Sequence, residues 1–203
     1  MPDAARPSGR VFFRATIISA MTQILWLLIE TVGGLLAMSC LLRAWAHRQH
    51  LNPRNPLGQF VHALTDWLVL PLQRGLRPTR TTDWASLLGA LLFALVLAML
   101  QPLIWSGRFP HLGETLLRAA FWLARSGIYL VMGLVVVQAI LSWVNPHAPM
   151  APAIRQLSEP LLAPFRRRLP ALGGVDLSPL VLFLILQILL ILIDPAFLVG
   201  LFR

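Results

Sequence analysis

The stretch Leu64-Thr65-Asp66-Trp67-Leu68-Val69-Leu70-Pro71-Leu72-Gln73-Arg74-Gly75-Leu76 returns later in the chain as Leu157-Ser158-Glu159-Pro160-Leu161-Leu162-Ala163-Pro164-Phe165-Arg166-Arg167-Arg168-Leu169. At the same spacing Asp83 falls on Asp176, Leu87 on Leu180, Leu91 on Leu184 and Pro102 on Pro195. Each copy reads apolar helix, Arg-bearing amphipathic loop, aspartate, apolar helix. A unit of this kind written twice constrains the chain to a pseudo-symmetric membrane architecture.

The hydrophobic fraction is 57% and the charged fraction only 12%, too little polar surface to hold a chain of 203 residues in water. Four apolar segments approach or exceed the roughly 20 residues that cross a bilayer. Tryptophan favours the headgroup level, so paired tryptophans mark span ends. Trp84 and Trp105 bracket residues 85–104, and Trp122 and Trp143 bracket residues 123–142; each pair stands 21 positions apart, about 31 Å of helix. Trp26 and Trp45 bracket most of a first span that begins near Ile17, and a fourth runs over residues 177–200. The expected fold class is all-α, a polytopic helical membrane protein with four transmembrane helices arranged as two tandem helix–amphipathic loop–helix repeats. It divides into an N-terminal tail (1–16), a first repeat (17–105), a connecting loop (106–118) and a second repeat (119–203). The polar start does not read as a cleaved signal peptide.

All 17 basic residues are arginine, and the net charge is +9. Four spans place both termini on one side and the loops 46–82 and 144–176 on the other. Ten arginines, Arg43 among them, are counted with the loops, so the positive-inside rule predicts cytoplasmic loops. Arginines in short loops beside apolar helices fit topology and anionic lipid better than nucleic acid. Cys40 is the single cysteine, which excludes an internal disulfide. Walker, GxGxxG, HExxH and GxSxG patterns and metal-spaced Cys/His sets are absent from the sequence, and no enzyme activity, cofactor or metal is expected.

Within the loops, Phe60, Leu64, Trp67 and Leu68 share one helical face, as do Ile154, Leu157, Leu161 and Phe165, with Pro160 and Pro164 limiting the second helix. These segments either lie in the interface or re-enter the membrane. Arg74, Arg166, Arg167 and Arg168 form a candidate surface for lipid or a protein partner, against the plainer role of setting topology. Asp83 and Asp176 stand at helix starts, with Ser178 as N-cap before Pro179. Capping, with a tie to Arg74 or Arg167, competes with a cation or proton site. Glu30, Gln101, Arg125 and Asp194 fall at similar depth by the tryptophan ruler. Arg125 is expected to pair with Glu30, Asp194 or both; snorkelling and a proton pathway are the alternatives.

Leu41-Leu42-Arg43-Ala44-Trp45, Asn55-Pro56, Gln59-Phe60, Pro71 and Asp83 are similar to the first copy of the YggT repeat. Ala139-Ile140-Leu141-Ser142-Trp143, Pro160-Leu161-Leu162-Ala163-Pro164-Phe165-Arg166-Arg167, Leu169-Pro170 and Gly173-Gly174-Val175-Asp176-Leu177-Ser178-Pro179 resemble the second. The first copy departs from the pattern at Trp67, Gln73-Arg74 and Arg77-Pro78-Thr79-Arg80. The YggT/YlmG resemblance implies a non-enzymatic role in the bacterial inner membrane, in osmotic or envelope stress tolerance or in assembly of membrane complexes. It brings no catalytic or ligand residues. The expected partners are the bilayer, anionic lipid and another membrane protein. The competing class is a small oligomeric potassium or proton channel or transporter component, for which Gln138 and Gln187 supply polar groups deep in the spans.

Overall fold

The computed structural model describes residues 9–168 and 176–194. Six helices appear among them: α1 (Gly9–Arg48), α2 (Pro56–Gln73), α3 (Trp84–Ser106), α4 (Leu112–Val144), α5 (Ala151–Arg166) and α6 (Ser178–Leu192). In each half an amphipathic helix lies between two apolar ones, as the duplication predicts. Three stretches, Ser19–Arg48, Trp84–Ser106 and Leu112–Val144, are long and apolar enough to cross a membrane. Only 17%, 33% and 28% of their most apolar windows is buried inside the protein. Most of the apolar surface therefore faces outward, which demands an apolar solvent.

The fourth predicted span is partly visible. Helix α6 has 15 described residues, about 22 Å, and residues 195–200 of the expected span lie outside the described residues. The tail and the connecting loop are shorter than expected, because α1 is already helical at Gly9 and α4 begins at Leu112.

Local signals set the helix ends. Asn55 caps α2, its side-chain oxygen accepting from the Gly58 amide at 2.6 Å, with Pro56 in the first turn. A Cβ on Gly58 would sit 2.8 Å from the Pro53 carbonyl oxygen, so only glycine fits this turn. Helix α3 ends at Gly107, whose φ of 61° is the left-handed cap that glycine adopts without strain.

Pro160 and Pro164 do not end α5, which runs through both. Pro71 in α2, at the position matching Pro164, is likewise internal. All three prolines are exposed, so the carbonyls they strip of partners face outward, where headgroups and water can satisfy them.

Small residues draw the spans together. Ala37, Cys40 and Ala44 of α1 are buried, as are Ala85, Ala90, Ala94 and Ala98 of α3. Bare Gly33 lets Leu97 approach to 3.1 Å from where a Cβ would stand. Ala94, Ala98 and Ala119 form the α3–α4 seam, with Leu95, Trp122 and Leu123 packed over it. Helix α6 meets α4 through larger groups, Met132 and Val135 against Leu182 and Leu186. Backbones that approach over small residues gain van der Waals contact that lipid does not replace.

The amphipathic helices knit the halves together. Leu57 and Val61 of α2, Leu134 of α4 and Ala153, Ile154 and Leu157 of α5 share one core. Trp45 donates its indole N–H to the Leu157 carbonyl at 3.0 Å, and the Gln156 amide donates to the Gln49 carbonyl at 2.8 Å. In α5 the predicted face packs inward, with Ile154 and Leu157 buried and Leu161 and Phe165 half-buried. In α2 a different face does the packing. Leu57, Val61, Thr65 and Val69 form the buried face, whereas Phe60 and Trp67 are exposed. Helix α2 thus has two apolar faces, one against the bundle and one turned outward. The Trp67 ring packs edge-on against Phe93, nine residues into α3, at 6.2 Å between centroids.

Ala98 has no exposed surface, so Ala98→Leu should wedge the α3–α4 seam apart. We expect a lower melting temperature in detergent, corresponding to about 1–3 kcal/mol of overpacking. The same melting curve for Val96→Leu, at an outward position of α3, should not move.

Candidate functional site

The densest polar structure lies where the amphipathic helices meet the spans, and it occurs once in each repeat. In the first, Arg43 near the end of α1 reaches across to α2 and to the start of α3. Its Nη1 donates to the Thr65 hydroxyl at 2.8 Å and to Asp66 Oδ1 at 2.6 Å. Its Nε stands 3.7 Å from Asp83 Oδ2. Asp83 caps α3, accepting from the Ser86 amide at 3.3 Å and the Ser86 hydroxyl at 2.6 Å, and Gln73 reaches it from α2 at 3.5 Å. Arg43 and Asp83 are both buried. His62, one turn before Asp66, approaches Asp66 Oδ1 at 3.3 Å.

In the second repeat Arg166 of α5 joins Glu159 at 2.5 Å to Asp176 at 2.7 Å. Asp176 also accepts the Ser178 amide at 2.9 Å, at the start of α6. Asp66 matches Glu159, Asp83 matches Asp176, Thr65 matches Ser158 and Gln73 matches Arg166, all at the spacing of the sequence repeat. Each site is therefore an arginine clasp, one guanidinium held between a carboxylate on the amphipathic helix and a carboxylate at the start of the following apolar helix.

The clasps differ in where the arginine comes from. The first takes it from the span, with Gln73 on the amphipathic helix. The second takes it from the amphipathic helix, and the span contributes Gln138. Gln138 is buried and accepts the Ser158 hydroxyl, as Arg43 meets the hydroxyl of Thr65. Arginine and glutamine have exchanged places.

Burial works to raise the Asp66 carboxyl, but hydrogen bonds from Arg43 and His62 and their charges outweigh it and hold Asp66 below its ordinary range. Asp176 is lowered in the same way: burial opposes ionisation, and bonds from Ser178 and Arg166 with the Arg166 charge prevail.

The residues singled out from sequence are distributed unevenly. Asp83 and Asp176 sit at helix starts, but their arginine partners are Arg43 and Arg166, and Arg74 and Arg167 are exposed. The α6 cap position is Leu177, one residue before the expected Ser178. Arg166 is engaged by two acids, leaving Arg168 exposed with Arg74 and Arg167.

The polar layer does not assemble as expected. Gln101 accepts from Arg118 at 2.9 Å, and Arg125 donates to the Tyr129 hydroxyl at 3.0 Å, one turn along its own helix. Among the described residues no ion pair joins Arg125 to Glu30 or Asp194. The reason is the ruler. Trp122 is half-buried against Ala119 and its neighbours and Trp26 is buried, so protein packing accounts for both. Because Gln101 lies level with Arg118, Arg125 is about 10 Å further along the bundle.

Sequence reasoning missed Arg43, Asp66, Gln73 and Glu159 as site residues. The signal was present, since the repeat already aligned Asp66 with Glu159 and Gln73 with Arg166. Reading Arg43 as a loop charge hid the partner.

Outward-facing apolar helices, a duplicated helix–amphipathic helix–helix unit and a charge clasp in each copy define a helical membrane protein built by internal repetition. The chain belongs to the CCB3/YggT family, which matches residues 19–104 and again residues 117–197. The protein YggT of Escherichia coli strain K12 is 36% identical over 170 residues, covering 80% of this chain and 85% of that one. A protein of the proC 3' region of Vibrio alginolyticus is 34% identical over 162 residues (79% and 88% coverage). One from Haemophilus influenzae is 32% identical over 164 residues (80% and 87%). No solved structure matches the chain.

Removing Arg43 strands Asp83 in the interior. Arg43→Gln should lower stability by roughly 3–5 kcal/mol. Adding Gln73→Arg, which recreates the arrangement of the second repeat, should restore much of the loss in a detergent unfolding assay. Strict additivity of the two changes would show that the positions are not interchangeable.

The depressed carboxyls of Asp66 and Asp176 predict a pH response of defined sign. Their stabilisation is complete above the ordinary aspartate value of about 3.9 and is lost as the pH falls through the still lower folded values. Amide protection factors in α2 and α5, corrected for the intrinsic pH dependence of exchange, should thus be flat from neutrality down to about pH 5 and then fall, ahead of those in α1 and α3.

Proposed function

We propose that the protein is a non-enzymatic, four-span accessory protein of the bacterial inner membrane. Its α2 and α5 end faces the cytoplasm and docks anionic lipid or a membrane partner. One observation carries the reading. Toward that end lie ten arginines and four acids, Asp66, Asp83, Glu159 and Asp176. The two clasps engage all four acids with only two arginines. Arg48, Arg54, Arg74, Arg77, Arg80, Arg155, Arg167 and Arg168 are all exposed, and among the described residues no acid pairs with them. Beside this charge the exposed Phe60 and Trp67 of α2 offer apolar anchors. Cationic rims with aromatic anchors suit a negative leaflet, and stress tolerance or complex assembly is the setting in which such docking would act.

The channel reading has less support. Gln138 is held by Ser158, and Gln187 is exposed on α6. The two deep amides do not line a common path.

Reporter fusions at His62 and Ala163 should both report the cytoplasm. Purified wild-type protein should carry phosphatidylglycerol in excess over its share of the membrane. A variant with Arg74, Arg77, Arg80, Arg167 and Arg168 changed to glutamine should lose most of that enrichment. Selective ion flux in liposomes with no lipid enrichment would decide for the channel.

A further inference from the structure

Each clasp borders a cavity, and the repeat relates the two. The first, about 400 Å³, is lined by Leu42, Leu57 and Val61 together with Arg43, Asp66 and Asp83. The second, about 320 Å³, is lined by Gln138, Ser142, Arg155, Glu159 and Arg166 among others. His62 beside the first cavity corresponds to Arg155 beside the second. Arg43 in the first is matched by Asp66 and Asp83, and Arg166 in the second by Glu159 and Asp176, so the second cavity differs by the added cation Arg155 where the first has His62.

The second cavity also has unused donors. Glu159 is engaged by Arg166, whereas among the described residues Arg155 has no ion pair. Gln138 is only 8% exposed. It is hydrogen-bonded to Ser158 and lines the cavity. The Ser142 hydroxyl lines the same wall. An arginine with no acid partner among the described residues, a buried carboxamide and a serine in one cleft are the complement of an oxyanion. Directly beyond Ser142, Trp143 and Val144 at the end of α4 are 72% and 79% exposed, an apolar ledge suited to the glycerol and first acyl carbons of a lipid.

We propose that this cavity seats the phosphate of one anionic phospholipid, with Arg155 supplying the charge and Gln138 and Ser142 the hydrogen bonds. The inference rests on the lipid-docking reading above and narrows it to one site in the second repeat. The first cavity, which has His62 in place of Arg155, does not share it.

The test uses the full chain in neutral detergent, titrated with dioctanoyl phosphatidylglycerol, dioctanoyl phosphatidylcholine or inorganic phosphate and read by native mass spectrometry. One phosphatidylglycerol should be retained in preference to phosphatidylcholine, and inorganic phosphate should compete weakly. Arg155 is exposed, so Arg155→Gln leaves the fold intact; it and Gln138→Leu should weaken retention about tenfold, the worth of one charge-assisted contact. Arg54→Gln, which removes the same charge elsewhere, should behave as wild type. Unchanged retention in Arg155→Gln, or an equal loss in Arg54→Gln, would sink the site while leaving diffuse lipid docking in place. Phosphate competing as tightly as the lipid would overturn the lipid assignment. No preference for phosphatidylglycerol in the wild type would remove both the site and the docking reading.

Discussion

Hydrocarbon solvates most of this chain, and that single condition determines where its charges can be. In water an exposed arginine–carboxylate pair contributes little. A charge carried into the protein beside an apolar span must instead find a partner, because neither lipid nor core will solvate it. The buried charges Arg43 and Asp83 do so in each other's presence, with Thr65, Asp66, Ser86 and Gln73 filling the remaining bonds. The clasp need not be more stabilising than an apolar plug of equal size. Its value is register. Sliding α2 by one turn along α1 would separate Asp66 from Arg43 and leave the guanidinium with one acid in place of two.

The same condition accounts for the seams. Lipid tails compete fully with leucine for leucine, so helices gain most by approaching more closely than lipid can follow. Alanine, glycine and cysteine do this along α1, α3 and the first turns of α4. The contact of α4 with α6 uses Met132, Val135, Leu182 and Leu186, so it holds the backbones further apart. The two halves share a plan but are not equally tight. The first is closed by small residues over most of its length, while the second relies on the α5 core and on the Arg166 clasp at its mouth.

Much of this plan can be read from residues alone, and the failures have physical causes. The duplication, the amphipathic helices and the helix-start aspartates were legible because each rests on local pattern. The tryptophan ruler was not, since a tryptophan packed against protein looks the same in sequence as one at a headgroup; Trp26 is buried and Trp122 packs at the α3–α4 seam. Which face of α2 meets protein was not legible, because that helix is apolar on two sides. Arg43 was counted with the loop charges because it lies two residues before Trp45, and only the third dimension brings it against residues of α2 and α3. Even the repeat disguised it. Arg43 is 22 residues from Thr65, whereas Gln138 is 20 from Ser158, so the constant spacing that aligns the amphipathic helices slips between the span and its helix.

Seen together, the two clasps are an experiment the chain performs on itself. An arginine and a glutamine trade places between span and amphipathic helix, yet two carboxylates are bridged in both copies, which argues that the bridge is the retained element and the source of the cation is free. The trade has a consequence. Placing the arginine on α5 moves positive charge outward to where Arg155 already stands and leaves the deep position of the second repeat neutral, with a buried amide in place of a guanidinium. The first repeat does the reverse, sinking its cation beneath His62 and Asp66. Two cavities of common origin thus differ by one cation, Arg155 against His62, and a duplication that began with equivalent halves leaves chemically distinct ones.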